Sequence, residues 1–246
     1  MDLIQALAAE LGKDPRHVEN VVHLLDEGNT IPFIARYRKE LHGAMDDTSL
    51  RTLEERLQYL RGLEERREAV KKSIDEQGKL TDELTAAIDS AKTLAEVEDL
   101  YRPYKQKRRT RATMAKEKGL EPLAALLFAQ ERDCPRPEEA ARDFVDPEKG
   151  VETVEDALQG ASDIIAEQIS DDAAIRKSLR ALISRQGQLV SRAAAEDDSV
   201  YRLYYDFTQS VARLQGHQVL AINRGEKEGI LKVSITLDRE QALPLL

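Results

Sequence analysis

The sequence predicts a mostly α-helical protein, and three observations lead there. Glycine and proline together supply only twenty of the 246 residues, too few for a loop-rich β-sandwich. Leu, Ala, Glu, Arg and Asp dominate, a helical vocabulary. Apolar residues also recur at three-to-four spacing along most of the chain. Hydrophobic residues make up 41%, enough to bury a core, with only 4% aromatic and no Trp. At about 100–200 residues per domain, this length fits one elongated domain or two to three small ones.

Residues 1–43 read as a helix-turn-helix-like unit. Asp14 before Pro15 is a helix start, and Val18, Val21, Val22 and Leu25 keep helical spacing up to a stop at Gly28. Thr30 and Pro32 restart a helix through Phe33, Ile34, Tyr37 and Leu41. Such helix pairs are common in proteins that never touch DNA.

Residues 44–187 read as an elongated region with long helices. Asp47 is the expected N-cap of a helix carrying Leu50, Leu53, Leu57, Leu60, Leu63, Val70 and Ile74, closed by Gly78. Its length would be roughly 45 Å, that of a strut. The heptad lapses at Arg67, which favours an antiparallel helical pair over an intermolecular coiled coil. Thr81 opens the next helix, and Thr93 with Glu96 makes a capping box for another. Pro122 and Pro137 mark two more. Residues 153–187 form one long helix or two, jointed at Ser170-Asp171-Asp172.

Residues 188–246 form a mixed segment. Leu231 to Leu237 alternate as a half-buried strand should, with residues 189–192 as a candidate partner strand. Tyr201, Tyr204, Tyr205 and Phe207 gather four of the eleven aromatics within seven residues. The segment is expected to lead toward further domains, so that the chain is the N-terminal part of a longer protein.

The opening Met1-Asp2-Leu3 is acidic, and no apolar run approaches the roughly 18–20 residues that span a bilayer, so neither a signal peptide nor a membrane partner is expected. Cys134 is the single cysteine and cannot form an internal disulfide, which points to a reducing, cytoplasmic location. A net charge of −9 argues against nucleic acid coating the whole surface, but leaves room for a local basic site.

Catalytic constellations are missing from the sequence. His17, His23, His42 and His217 are scattered without metal-site spacing, and Cys134 has no CxxC or His companion. Gly78-Lys79-Leu80-Thr81 lacks the glycine-rich part of a phosphate loop. The acid pairs Asp46-Asp47, Asp171-Asp172 and Asp197-Asp198 stand where helices begin, where capping accounts for them. No enzyme, metal or cofactor is expected.

One electrostatic feature is concentrated. Between Arg102 and Lys118 the cations Arg102, Lys105, Lys107, Arg108, Arg109, Arg111, Lys116 and Lys118 face a single acid, Glu117, a net +7 in seventeen residues. Pro103 and the crowded charges make Tyr104–Thr110 an exposed connector. Arg and Lys beside Tyr101 and Tyr104 suit a phosphate backbone with occasional stacking. Structural ion pairs to the acidic helices nearby are an equally weighted alternative. Arg36, Arg38 and Lys39 form a smaller group on a helix, with Arg36 and Lys39 on one face.

Two stretches carry a family resemblance. Thr30-Ile31-Pro32-Phe33-Ile34-Ala35-Arg36-Tyr37-Arg38-Lys39-Glu40 resembles the opening of the Tex family of bacterial transcription accessory proteins. So does Leu100-Tyr101-Arg102-Pro103-Tyr104-Lys105, running through Lys107-Arg108-Arg109-Thr110-Arg111-Ala112-Thr113 to Gly119-Leu120-Glu121-Pro122-Leu123-Ala124. The helix Leu53-Glu54-Glu55-Arg56-Leu57, residues 217–225 and Glu228-Gly229-Ile230-Leu231 continue the match over nearly the whole chain. His42-Gly43-Ala44-Met45 departs from the family's Thr-Gly-Gly-like turn. The resemblance implies multi-domain factors in which a helix-turn-helix and helical region precede a ribonuclease-H-like (YqgF) domain without a full nuclease site, helix-hairpin-helix motifs and an S1 domain. It also implies a link to transcription and nucleic-acid binding chiefly through the S1 end, parts beyond Leu246.

The expected function is thus a non-catalytic scaffold that positions downstream modules and meets RNA or DNA backbones without sequence preference. Lys105, Lys107, Arg108, Arg109 and Arg111 are the first candidates, and Arg36, Arg38 and Lys39 the second. RNA polymerase or other transcription proteins are candidate partners. The alternatives are a protein-interaction platform docking on the transcription machinery, and the accessory region of a nuclease-like protein whose active residues lie elsewhere.

Overall fold

The structure is a computed structural model that describes residues 3–106, 109–132, 134–194 and 199–245. It is mostly α, as the sequence predicts: the described residues hold thirteen α-helices and one small sheet. The chain forms two compact units, Met1–Tyr101 and Arg102–Leu246.

The first unit is organised by a 29-residue helix, α4 (Asp47–Asp75), about 43 Å long. The helices α1 (Leu3–Leu11), α2 (Pro15–Asp26) and α3 (Ile31–Tyr37) pack on it from one end, and α5 (Asp82–Ser90) and α6 (Leu94–Tyr101) from the other. The predicted row Leu50, Leu53, Leu57, Leu60, Leu63, Val70 and Ile74 is its buried face. Ion pairs tie its flanks to the smaller helices. Arg56 binds Glu10 through two nitrogens at 2.7 and 3.0 Å, and Arg61 binds Asp26 at 2.7 and 2.8 Å. Those guanidinium groups hold the Glu10 and Asp26 carboxyls below their ordinary range. Lys71 bridges Glu68 and Asp89, which raise its ammonium above the usual value.

The lapse at Arg67 has a structural purpose. This arginine continues the buried row, only 3% exposed, and donates to Glu64 at 2.6 Å and to the carbonyl of Ala91 at 2.5 Å. Ala91 is the C-cap of α5, so a cation stands where a helix leaves carbonyls without intrahelical partners.

Three boundaries differ from the sequence reading. The N-cap of α4 is Asp46, which accepts from the Ser49 backbone N–H at 2.8 Å, while Asp47 pairs with Arg51. The same helix ends at Asp75, before Gly78. The third concerns α3, which stops at Tyr37 instead of continuing through Leu41: Arg38 leaves the helical region, with φ −129° and ψ 35°. The cause is tertiary. His17 and Asn20 of α2 donate to the Leu41 carbonyl at 3.0 and 3.1 Å, drawing the chain into a turn. In that turn Gly43 adopts φ +59°, and a Cβ there would lie 2.4 Å from the His17 ring. Arg38 and Lys39 therefore lie outside the helix, and Lys39 does not share a helical face with Arg36.

In the second unit α7 (Arg111–Glu117), α8 (Glu121–Ala129) and α9 (Pro137–Arg142) gather around α10 (Val154–Asp171). Ala112, Ala115, Leu120, Leu123, Ala157, Ala161 and Ile164 are at the core of this cluster. Asp172 both ends α10 and caps α11 (Ala173–Gln186), accepting from the Ile175 N–H at 2.8 Å, so the predicted joint is real. The sheet follows: β1 (Gln188–Ala193), β2 (Asp206–Ser210) and β3 (Leu231–Thr236), all antiparallel in the order β2-β1-β3. The predicted pairing of residues 189–192 with the alternating strand is present, with Leu189 opposite Ile235. β2 has no counterpart in the sequence pattern, because Asp206–Ser210 lacks apolar alternation. Helix α12 (Gly216–Lys227) packs on β3, and a short α13 (Arg239–Ala242) follows. No helix among the described residues is long and apolar enough to cross a membrane.

Candidate nucleic-acid interface

The basic stretch opens the second unit. Arg102–Tyr104 form a single 3₁₀ turn, and α7 begins at Arg111 behind the N-cap Thr110. Thr110 and Thr113 satisfy each other reciprocally: the Thr110 hydroxyl accepts from the Thr113 N–H at 3.1 Å, and the Thr113 hydroxyl from the Thr110 N–H at 2.8 Å. Ala112 and Ala115 face α10 and are buried, which turns the charged positions of α7 outward. Lys105, Arg109, Arg111, Lys116 and Lys118 are all exposed. Lys107 and Arg108, also candidates, lie outside the described residues, as do Asp197 and Asp198.

Beneath this stretch α10 presents an acidic stripe. Asp163, Glu167 and Asp171 recur every four residues, on one helix face. Each meets one member of the stretch: Asp171 accepts from Arg102 Nε at 2.9 Å, Glu167 from the Thr110 hydroxyl at 3.1 Å, and Asp163 stands 3.7 Å from Arg111 Nε. Arg109 contacts Glu117 at 2.9 Å and Lys116 approaches Glu121 at 3.3 Å.

Carboxylates do meet these cations, yet Arg109 remains 71% exposed and Arg111 79%. Neither is held like Arg61, whose guanidinium grips Asp26 through two nitrogens. A single-point, solvent-exposed ion pair is worth about 0.2–1 kcal/mol, small enough for a phosphate to displace. The four-residue spacing of the stripe is present in the sequence, and capping alone does not account for Asp171-Asp172. Asp172 does cap a helix, whereas Asp171 pairs with Arg102.

The second candidate group is in the first unit. Arg36 is the penultimate residue of α3, and Arg38 and Lys39 occupy the turn that follows. Arg36 and Arg38 lie against Tyr37 and Phe33, with guanidinium carbons 6.0 and 5.3 Å from the ring centroids. The two basic groups occur in different units. Among the described residues, no three His, Cys, Asp or Glu side chains converge to hold a metal ion.

Comparison with known proteins places the chain. Residues 1–75 match the Tex-like protein N-terminal domain, and residues 133–244 match the Tex central region. The chain belongs to the Tex family. It is 48% identical over 237 residues to protein YdcI of Bacillus subtilis, covering 95% of this chain and 33% of that protein. It is 42% identical over 239 residues to the transcriptional accessory protein Tex of Neisseria gonorrhoeae, covering 96% and 31%. It is also 30% identical over 247 residues to human S1 RNA-binding domain-containing protein 1, covering 96% and 24%. The chain thus spans about a third of the length of the bacterial relatives it matches. Arg36, Arg38 and Lys39 fall within the first family match, and the basic stretch falls between the two.

Proposed function

We propose that this region is a non-catalytic helical scaffold of a transcription accessory factor, and that the stretch from Arg102 to Lys118 contacts RNA or DNA backbones while the helices position the modules beyond it. The observation that supports this most directly is the exposure of Arg109, just before the α7 N-cap, and of Arg111, the first residue of α7, beside the anchors that Arg102 and Thr110 make to α10. Arg102 and Thr110 hold the stretch at two points, and among the described residues Lys105, Arg109, Arg111, Lys116 and Lys118 are exposed. The name of one relative carries transcription and that of another RNA binding, which agrees with the reading. Such contacts are sequence-independent and weaken with salt, because each neutralised phosphate releases counterions. The factor would act in the cytoplasm.

The test is retention of single-stranded RNA by the wild-type chain and by Arg109→Glu/Arg111→Glu at about 50 mM salt, a regime in which phosphate contacts dominate. The double reversal is expected to abolish retention with the far-UV circular dichroism unchanged. Equal retention by both proteins, or none by the wild type, removes the proposal. A protein-docking role is the second reading, favoured by Phe128, half exposed beside Ala125, Ile169 and Ile175.

A further inference from the structure

Four arginines of the first unit lie over aromatic rings, and they divide into two kinds. Arg56 over Tyr59 (4.8 Å) and Arg66 over Tyr101 (5.4 Å) are each also paired with a carboxylate, Glu10 and Glu98. Their stacking belongs to the packing of α4 against α1 and α6. Arg36 and Arg38 are different: among the described residues neither has a carboxylate within 4 Å. Lys39 likewise has no such partner there, and Glu40 is the sole acid between Arg36 and Glu40.

The rings beneath them are arranged for contact. Ile31 and Ile34 bury one side of α3, and Phe33 and Tyr37, four residues apart, pair on another with centroids 5.3 Å apart. Tyr37 is 57% exposed. The break after Tyr37 brings the Arg38 guanidinium back over Phe33, where it also reaches the Tyr37 carbonyl at 3.4 Å. An exposed ring flanked by cations without carboxylate partners offers a π-face and charge neutralisation together, the combination that takes bases and phosphates of single strands.

We propose that Tyr37 and Phe33, with Arg36, Arg38 and Lys39, form a stacking site for the bases of single-stranded nucleic acid. This deepens, and rests on, the nucleic-acid reading above, but it uses a different unit and different chemistry. The basic stretch neutralises backbones, whereas this patch requires bases.

The absence of Trp makes the test direct. Tyr37→Trp introduces a single tryptophan at the proposed site. Its emission is expected to be quenched by a dodecamer of uridylate at about 50 mM salt, and left unchanged by an abasic phosphodiester of equal length or by polyglutamate. Tyr37→Ser is expected to weaken uridylate binding about ten- to hundredfold without altering abasic binding. Equal quenching by the abasic polymer, or no quenching while the wild type still retains RNA, overturns the stacking site and leaves the basic stretch standing. Quenching by polyglutamate overturns it in favour of an acidic protein partner. Binding of neither polymer by any form removes both proposals.

Discussion

Neutralising the acidic stripe beneath the basic stretch should tighten nucleic-acid binding. The perturbation is Asp163→Asn with Glu167→Gln and Asp171→Asn, which removes three negative charges while preserving side-chain shape. The amide oxygen at position 171 can still accept from Arg102 Nε, and that at 167 from the Thr110 hydroxyl, so the loop keeps its anchors. What changes is the competition for cations. Arg102 stays as the anchor on position 171, whereas Arg111, 79% exposed, must leave Asp163 to hand its charge to phosphate, at a cost of about 0.2–1 kcal/mol. Removing that cost corresponds to about 1.4- to fivefold tighter binding. If Arg111 thereby becomes a phosphate contact, the dependence of log K on log salt for a single strand steepens by about 0.7. Fluorescence anisotropy of a labelled single-stranded RNA between about 25 and 200 mM salt reads both quantities, a range in which such slopes are resolved. Unchanged or weaker binding by a triple variant that unfolds at the wild-type urea concentration would refute the assignment of this loop as the interface.

Other consequences can be measured separately. The Glu10 and Asp26 carboxyls titrate below their ordinary range because Arg56 and Arg61 hydrogen-bond them, so their folded values lie under their unfolded ones. Their stabilisation is therefore complete above about pH 4.5 and is lost as pH falls through the folded values. The protection factors of α4 amides, which are corrected for intrinsic exchange, should fall between about pH 5 and 3, and Arg56→Met/Arg61→Met should blunt that loss. Gly160 and Gly62 form a matched pair for packing. A Cβ at Gly160 would stand 2.3 Å from Leu120 Cδ1 and 3.3 Å from Ala115 Cβ, whereas one at Gly62 meets nothing within 4 Å. Helix propensity favours alanine by up to about 1 kcal/mol at either position, but overpacking a filled core costs about 1–3 kcal/mol. Urea unfolding should thus show Gly62→Ala as stabilising and Gly160→Ala as neutral to destabilising, with Gly160→Val worse because it adds volume and loses propensity.

Local chemistry was written in the chain. The leucine row of α4, the Asp172 joint and the alternating β3 follow from period and capping, which operate within a few residues. The family was likewise legible in two linear motifs. Tertiary structure decided what depends on distant neighbours. It set the early end of α3, imposed by α2 side chains on the Leu41 carbonyl, and it formed β2, whose polar sequence becomes a strand by pairing with β1. It also divided the cations. Arg102 and Asp171 are 69 residues apart in sequence, and no local pattern states that they meet. Composition sets how much charge the chain carries; the fold decides which arginines are clasped and which remain open to a ligand.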